Sequence, residues 1–245
     1  MRTLRLTSPH MVGVDVKAAQ NALKQAGYYY DKIDGEYGPV TAAAAANAKW
    51  FLGYPEKQVR GTFGTSLMRY LTGAAKPNIL MRQRAKSRKT KSMIGERAIH
   101  IAGQYEGVSE QPPGSNEVMF ARWYGIIGPW CAMFVTYCMV QAGSKGFQRG
   151  NRWAYCPFMY DDAKHNRNGL TIISSKNVRP GDVVLFDWNG DGTADHVGMT
   201  TSVVKNGRFT TIEGNTSGSN PSDGGMVARN THDLSSVQAF IRVLY

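Results

Sequence analysis

Cysteine is scarce. Three in 245 residues is an odd number, and too few to staple a chain of this length with disulfides. Synthesis in a reducing compartment with free thiols is therefore expected. Long apolar runs are missing too: none approaches the ~20 residues of a membrane-spanning helix, and no integral membrane protein is expected. The opening stretch, MRTLRLTSPHMVGVDVKAAQ, lacks a continuous apolar segment, so no secretory signal is read there. No group of His, Cys and Asp has zinc-ligand spacing, which argues against a zinc centre. Acidic residues are absent from 75–92, where seven Lys/Arg lie. Residues 1–74 hold 9 Lys/Arg against 5 Asp/Glu, and residues 93–245 hold 13 of each, so the whole net charge of +11 sits in the first third. That imbalance suggests a basic targeting part joined to a neutral working part, with nucleic acid or an anionic cell wall as partner.

What is present sorts into three segments: 1–74, 75–92 and 93–245. In the first, VKAAQNALKQAG places Val16, Ala19, Leu23 and Ala26 on one helical face, ended by Gly27. Pro39 opens a second, alanine-rich helix that ends at Gly53, and GTFGTSLMRYLTG supplies a third. A small all-α three-helix bundle is expected. Residues 75–92, AKPNILMRQRAKSRKTKS, read as a solvated basic linker. They lack the interleaved aromatics that stack on bases, so nucleic acid is not expected as a partner. From Met93 a helix of about ten residues leads through the loop GVSEQPPGSNE to a helix beginning near Cys131. Strand-like runs follow: DVVLFDW, HVGMTTSVV, RFTTIEGN and finally VQAFIRVLY. Helices first and antiparallel strands later predict an α+β domain.

In GPWCAMFVTYCMVQAG, Cys131, Val135, Cys138, Met139 and Ala142 share a helical face. Cys131 is the first of that stripe, where unpaired backbone N–H groups and the positive end of the helix dipole favour a thiolate. Taken alone, a cysteine in an apolar helix is more often packing, and Cys138, two turns deeper, reads as inert core. A nucleophile needs a base. In DHVGMTTSVV, Val197 and Met199 alternate onto one face and His196, Gly198 and Thr200 onto the other, which suits His196 to a cleft. Glu213 and Asn215 share a face if their strand continues; a carboxylate beside a histidine fixes its tautomer, while a lone Glu213 is a solvated strand-end acid. His10, His100, His165 and His232 have no comparable setting. A Cys–His pair leads to the expectation of activity rising with pH through a group near neutrality. DWNGDGTAD spaces Asp187, Asn189, Asp191 and Asp195 like the start of an EF-hand calcium loop, but Gly198 stands where the closing glutamate belongs. A plain hairpin is favoured over calcium, and no cofactor is expected to be required. Trp130 and Trp188 are candidates for contact with a substrate; most other nearby aromatics read as core or groove wall.

Three motifs in order, GPWCAMFVTYC, PGDVVLFDW…DHVG and IEGNTS, resemble the cysteine, histidine-dependent amidohydrolase/peptidase (CHAP) family over about residues 93–245. The resemblance implies a papain-like fold that cleaves amide bonds of bacterial peptidoglycan. It places the nucleophile at Cys131, the base at His196, the orienting acid at Glu213 and a supporting polar group at Asn215. Residues 1–74 separately resemble the small three-helix peptidoglycan-binding domain, through AAQNALKQAGYY…DGEYGPVT. They depart from it where an alanine run and AKWFLG replace a phenylalanine-glutamine pair. Two wall-directed modules without a signal peptide resemble a phage endolysin. Such a protein is expected to reside in the host cytoplasm at synthesis, to reach the wall after a holin opens the membrane, and to meet peptidoglycan and anionic wall polymers. Endopeptidase and N-acetylmuramoyl-L-alanine amidase activities both fit, and the rival reading is a non-catalytic wall-binding or virion structural protein retaining the fold.

Overall fold

The computed structural model describes residues 1–91, 93–149, 153–217, 219–220 and 223–244. Two compact units divide the chain, Met1–Ser92 and Met93–Tyr245.

In the first unit a short strand, β1 (Leu4–Arg5), precedes helices α1 (Val14–Gln25) and α2 (Pro39–Phe51). β2 (Thr62–Phe63) then pairs antiparallel with β1, and α3 (Thr65–Leu71) follows. The expected glycines do end the helices. At Gly27 (φ 79°) the N–H of Tyr28 reaches the carbonyl of Leu23 at 2.9 Å, and Gly27 N reaches Lys24 O at 3.0 Å. Gly53 (φ 81°) closes α2 with the same pair of bonds, from Tyr54 to Lys49 and from Gly53 to Trp50. Only a residue at ease with positive φ completes this reversal without strain. Between the helices, the buried Gln20 amide ties α1 to the following loop: Nε2 donates to Asp34 Oδ1 at 2.7 Å and to Glu36 O at 3.0 Å, and Oε1 accepts from Gly35 N at 2.9 Å.

Two expectations need correction here. The unit is not all-α, because β1 and β2 form a two-stranded sheet. Nor is the basic segment a solvated linker. Residues Ile79–Lys91 form a fourth helix, α4, docked on the end of α2; Ser92, the last residue of the expected linker, lies outside the described residues. Met81 is buried in the first unit's core. Arg84 Nε donates to Gly53 O at 2.7 Å, while Arg88 donates to Trp50 O at 2.5 Å and Tyr54 O at 2.8 Å and lies 5.2 Å above the Trp50 ring. The last carbonyls of a helix have no intrahelical donors, and guanidinium groups supply both the N–H groups and the favourable charge. Charge alone hid this: two of the arginines are structural, while Arg82 and Lys86 are exposed.

The second unit begins with α5 (Ile94–Gly103), α6 (Met119–Tyr124), α7 (Cys131–Gln141) and α8 (Cys156–Lys164). Six strands follow: β3 (Leu170–Ile173), β4 (Val183–Phe186), β5 (His196–Thr200), β6 (Arg208–Thr216), β7 (Met226–Asp233) and β8 (Val237–Val243). They form one antiparallel sheet in the order β3-β8-β4-β5-β6-β7, giving the expected α+β fold. Residues 131–139 of α7 are all buried, the signature of a helix enclosed on every side. It packs on α5, α6, β5 and β6. Among the described residues no helix is long and apolar enough to cross a membrane.

The contact of α7 with β6 depends on a missing side chain. A Cβ on Gly214 would lie 2.5 Å from Phe134 Cβ and 2.7 Å from the Trp130 ring. Gly214→Ala should therefore destabilise the unit by about 1–3 kcal/mol, as overpacking of a filled core does. Denaturant unfolding measures it, and an unchanged midpoint would refute the tight seat of α7.

Candidate active site

Cys131 is the first residue of α7, and its position is set by the tryptophan before it. Trp130 is fully buried, stacked on Phe120 with centroids 5.6 Å apart, and donates from Nε1 to Glu110 Oε1 at 2.9 Å. It has no surface to offer a substrate, so the expected substrate contact at Trp130 is corrected to an anchor for the helix start. Glu110 lies in the loop SEQPPGSN, to which the sequence reading assigned nothing; it is 3% exposed, and Asn116 N donates to its other oxygen at 3.0 Å. A glutamate in a Pro/Gly-rich loop carries no periodic signal that would have marked it.

His196 opens β5 directly across from Phe186 on β4. Its Nε2 meets Glu213 Oε2 at 3.1 Å. Its Nδ1 is buried with no partner at ordinary hydrogen-bond geometry, and so is the nitrogen left to serve the Cys131 thiol, with which the ring interacts. Trp188, half-buried, stacks on the imidazole with centroids 5.2 Å apart and planes at 28°. Of the two tryptophans proposed for substrate contact, this is the one beside the imidazole.

Glu213 is no solvated strand-end acid. It is fully buried on β6, and four side chains converge on it. Oε2 accepts from His196 Nε2 and from Asn230 Nδ2, each at 3.1 Å; Oε1 accepts from His232 Nε2 at 2.6 Å and from the Thr211 hydroxyl. Gly198 on β5 faces it, and a Cβ there would sit 2.6 Å from Glu213 Cγ. The dismissal of His232 is thus overturned: it is 8% exposed and bound to the same carboxylate as His196. The signal was available in MVARNTHD, where Asn230 and His232 fall two apart on one face of a strand. Asn215 departs from expectation. The ladder shifts register between Glu213 and Thr216, and Asn215 takes φ 55°, so regular alternation stops before it. Its Oδ1 is buried without a hydrogen-bond partner and does not join the chain from Cys131 to Glu213.

The electrostatics follow from this geometry. The neighbouring Cys156 thiol, the charge of His196 and the N–H of Ala132 together hold the Cys131 thiol well below its ordinary range, against the opposing effect of burial. Burial disfavours the His196 cation, but Cys131 and Glu213 outweigh it and raise the imidazole to about 10. Burial likewise opposes the Glu213 carboxylate, and its two histidines override that and keep it ionised. With the Cys131 thiol lowered and the His196 imidazole raised, the resting pair favours a thiolate beside an imidazolium. Cys138 is different: burial pushes its thiol well up. Cys156 Sγ lies 3.8 Å from Cys131 Sγ at the start of α8.

The loop 187–195 closes the β4–β5 hairpin, with Asp195 N donating to Phe186 O at 2.7 Å. Its four calcium candidates are engaged within the loop. Asp187 accepts from Gly190 N and Gly192 N, Asn189 from Asp191 N, Asp191 from Thr193 N, and Asp195 from Trp188 N. Among the described residues, no three His, Cys, Asp or Glu side chains are placed to share a metal ion.

Comparison with known proteins agrees with the sequence motifs. Residues 123–215 match the family model of the CHAP domain, and residues 12–56 match that of a peptidoglycan binding domain, one in each compact unit. The resemblances read from the motifs are thereby borne out. No curated protein matches the chain. Among solved structures, the wild-type endolysin LysIME-EF1 is 24% identical over 31% of this chain, with a TM-score of 0.26; the chain spans 38% of its length. A Staphylococcus aureus protein of the NLP/P60 family, described as similar to a lipoprotein, is 15% identical over 93% of this chain and 74% of its own, with a TM-score of 0.36.

Iodoacetamide at neutral pH should label Cys131 ahead of Cys138 and Cys156, whose thiols are held protonated. His196→Ala should slow that labelling by on the order of tenfold or more, since each unit by which a thiol pKa rises above ambient pH costs a factor of ten in thiolate. Peptide mass spectrometry reads both; faster labelling of either other cysteine would contradict the electrostatics above.

Proposed function

We propose that the protein is a peptidoglycan hydrolase of the endolysin type, cleaving an amide bond of the wall by thiol chemistry as an endopeptidase or an N-acetylmuramoyl-L-alanine amidase. The observation that carries this reading is the continuous line from a helix-start thiol through His196 to the fully buried Glu213, within a stretch matching the CHAP domain. The match of residues 12–56 supports peptidoglycan as the polymer the first unit holds.

In this mechanism the Cys131 thiolate adds to the scissile carbonyl carbon, and the N–H of Cys131, free of an intrahelical acceptor at the first position of α7, donates to the developing oxyanion. The C–N bond breaks as His196 passes its Nδ1 proton to the leaving amine, which leaves a thioester. The now neutral His196 takes a proton from water, hydroxide adds to the thioester carbon, and the thiolate departs beside the regenerated imidazolium. Glu213 holds the ring by its Nε2–H throughout, and His232, Asn230 and Thr211 keep that carboxylate fixed and ionised. Trp188 covers one face of the ring and excludes water from it.

Three outcomes test the reading. Cys131→Ala should abolish release of soluble fragments from purified walls while the melting temperature and wall binding persist; clearing at a near wild-type rate would refute it. Hydrolysis should be level through neutrality and fall on the alkaline side as His196 loses its proton near 10, because a raised pKa keeps the acid form below that value and surrenders it above. A rise centred on neutrality would contradict a resting thiolate–imidazolium pair. Third, the exposed Arg82 and Lys86 of α4 attract anionic wall polymers over the ~8 Å range of physiological screening. The double variant Arg82→Glu, Lys86→Glu should bind whole cells more weakly at low salt and converge with the wild type at high salt. Parallel salt curves would leave α4 with a structural role alone.

A further inference from the structure

The mechanism above leaves one reactive group at the site without a task. Cys156 lies in the described part of the chain's second unit, 25 residues beyond Cys131, yet the fold brings the two sulfurs to 3.8 Å. Both thiols are buried, Cys131 at 6% and Cys156 at 5% exposure, so no water layer separates them from their surroundings. Each is the first residue of its own helix, α7 and α8. Two helix starts thus converge at one point, and the positive ends of both dipoles meet there.

The groups facing this point decide which sulfur carries the charge. Cys131 has His196 on β5 beside it, backed by Glu213 on β6 and His232 on β7, and the N–H of Ala132 on its own helix. Among the described residues no cation acts on Cys156, and Asp195, at the end of the hairpin loop, adds a negative charge to its surroundings. The negative charge belongs on Cys131 and the proton on Cys156. A protonated thiol within 4 Å of a thiolate is a hydrogen-bond donor with one natural acceptor.

We propose that Cys156 is a positioning residue of the active site: its S–H donates to the Cys131 sulfur and thereby sets the ionisation and direction of the nucleophile. This role rests on the reading of Cys131 as the nucleophile. The donor complements His196, which holds the same sulfur from the β5 side. A thiol is a weak donor, and that suits the position: it stabilises the resting thiolate yet releases it to the carbonyl without breaking a strong bond. Cys138, two turns along α7, has its thiol raised by burial alone and serves as the control.

The test is the pH dependence of Cys131 alkylation by iodoacetamide, read by peptide mass spectrometry on the full chain. Cys156→Ala removes the donor, and Cys156→Val does so with less loss of volume should alanine fail to fold. Either should move the midpoint of Cys131 labelling upward by about one pH unit, which is a tenfold loss of thiolate below that midpoint. Cys156→Ser restores a donor in the same place and should keep the midpoint within roughly half a unit of wild type. Cys138→Ala should not move it. An unmoved midpoint in Cys156→Ala and Cys156→Val would overturn the proposal, as would a serine variant that titrates like the alanine one. The labelling reads thiol chemistry and not wall cleavage, so it remains interpretable if Cys131→Ala still lyses walls; in that case the functional reading fails and the thiol pair stands on its own measurement.

Discussion

A carboxylate with no water around it organises the larger unit. Glu213 is fully buried, and an unpaired charge there would cost several kcal/mol. It is tolerated because both oxygens are filled by donors from three places: Thr211 on its own strand, Asn230 and His232 on β7, and His196 on β5. Each of those donors is in turn held by strand register. Strands β5, β6 and β7 must therefore pair as they do for the carboxylate to exist as an anion, and the anion then determines which way His196 presents its second nitrogen. Sheet order, ring tautomer and thiol ionisation are one connected constraint rather than three.

The same logic of supplying donors to groups the backbone leaves unsatisfied recurs in the first unit. There the open carbonyls at the end of α2 receive Arg84 and Arg88 from α4. A segment that looks like a charged tether is, at these two residues, part of the folded body. Arg82, Lys86 and Lys89 of the same helix are exposed, which separates the residues that hold the end of α2 from those at the surface.

Much of this was legible in the sequence, for reasons that can be named. Gly27 and Gly53 end helices because their conformational need is local, and Cys131 could be placed at a helix start because Gly-Pro punctuation precedes an apolar run. Alternation put His196 on a cleft face, while the family resemblance set Glu213 beside it, and the β5–β6 register places the two strands side by side. What escaped depended on contacts distant in the chain. His232 looked idle because its significance lies in pairing across to β6. Asn215 was misplaced because a bulge interrupts the alternation on which its assignment relied. Trp130 resembled a substrate platform, but its indole N–H had a partner twenty residues away in a loop with no periodicity. The helical character of 79–91 was obscured by a run of basic residues whose hydrogen-bond acceptors lie on another helix.

Gly198 and Glu213 face each other with no room for a single additional carbon between them. Inheritance at these two positions is consequently joined. While glutamate occupies 213, a side chain at 198 displaces the carboxylate and the histidines it steadies. A lineage that loses the acid is released from the glycine, and once a larger residue has settled at 198 the acid cannot return by one step. Loss of the chemistry at this pair is a ratchet: an inactive descendant retaining the fold would be recognised by a side chain at 198 as much as by the absence of its glutamate.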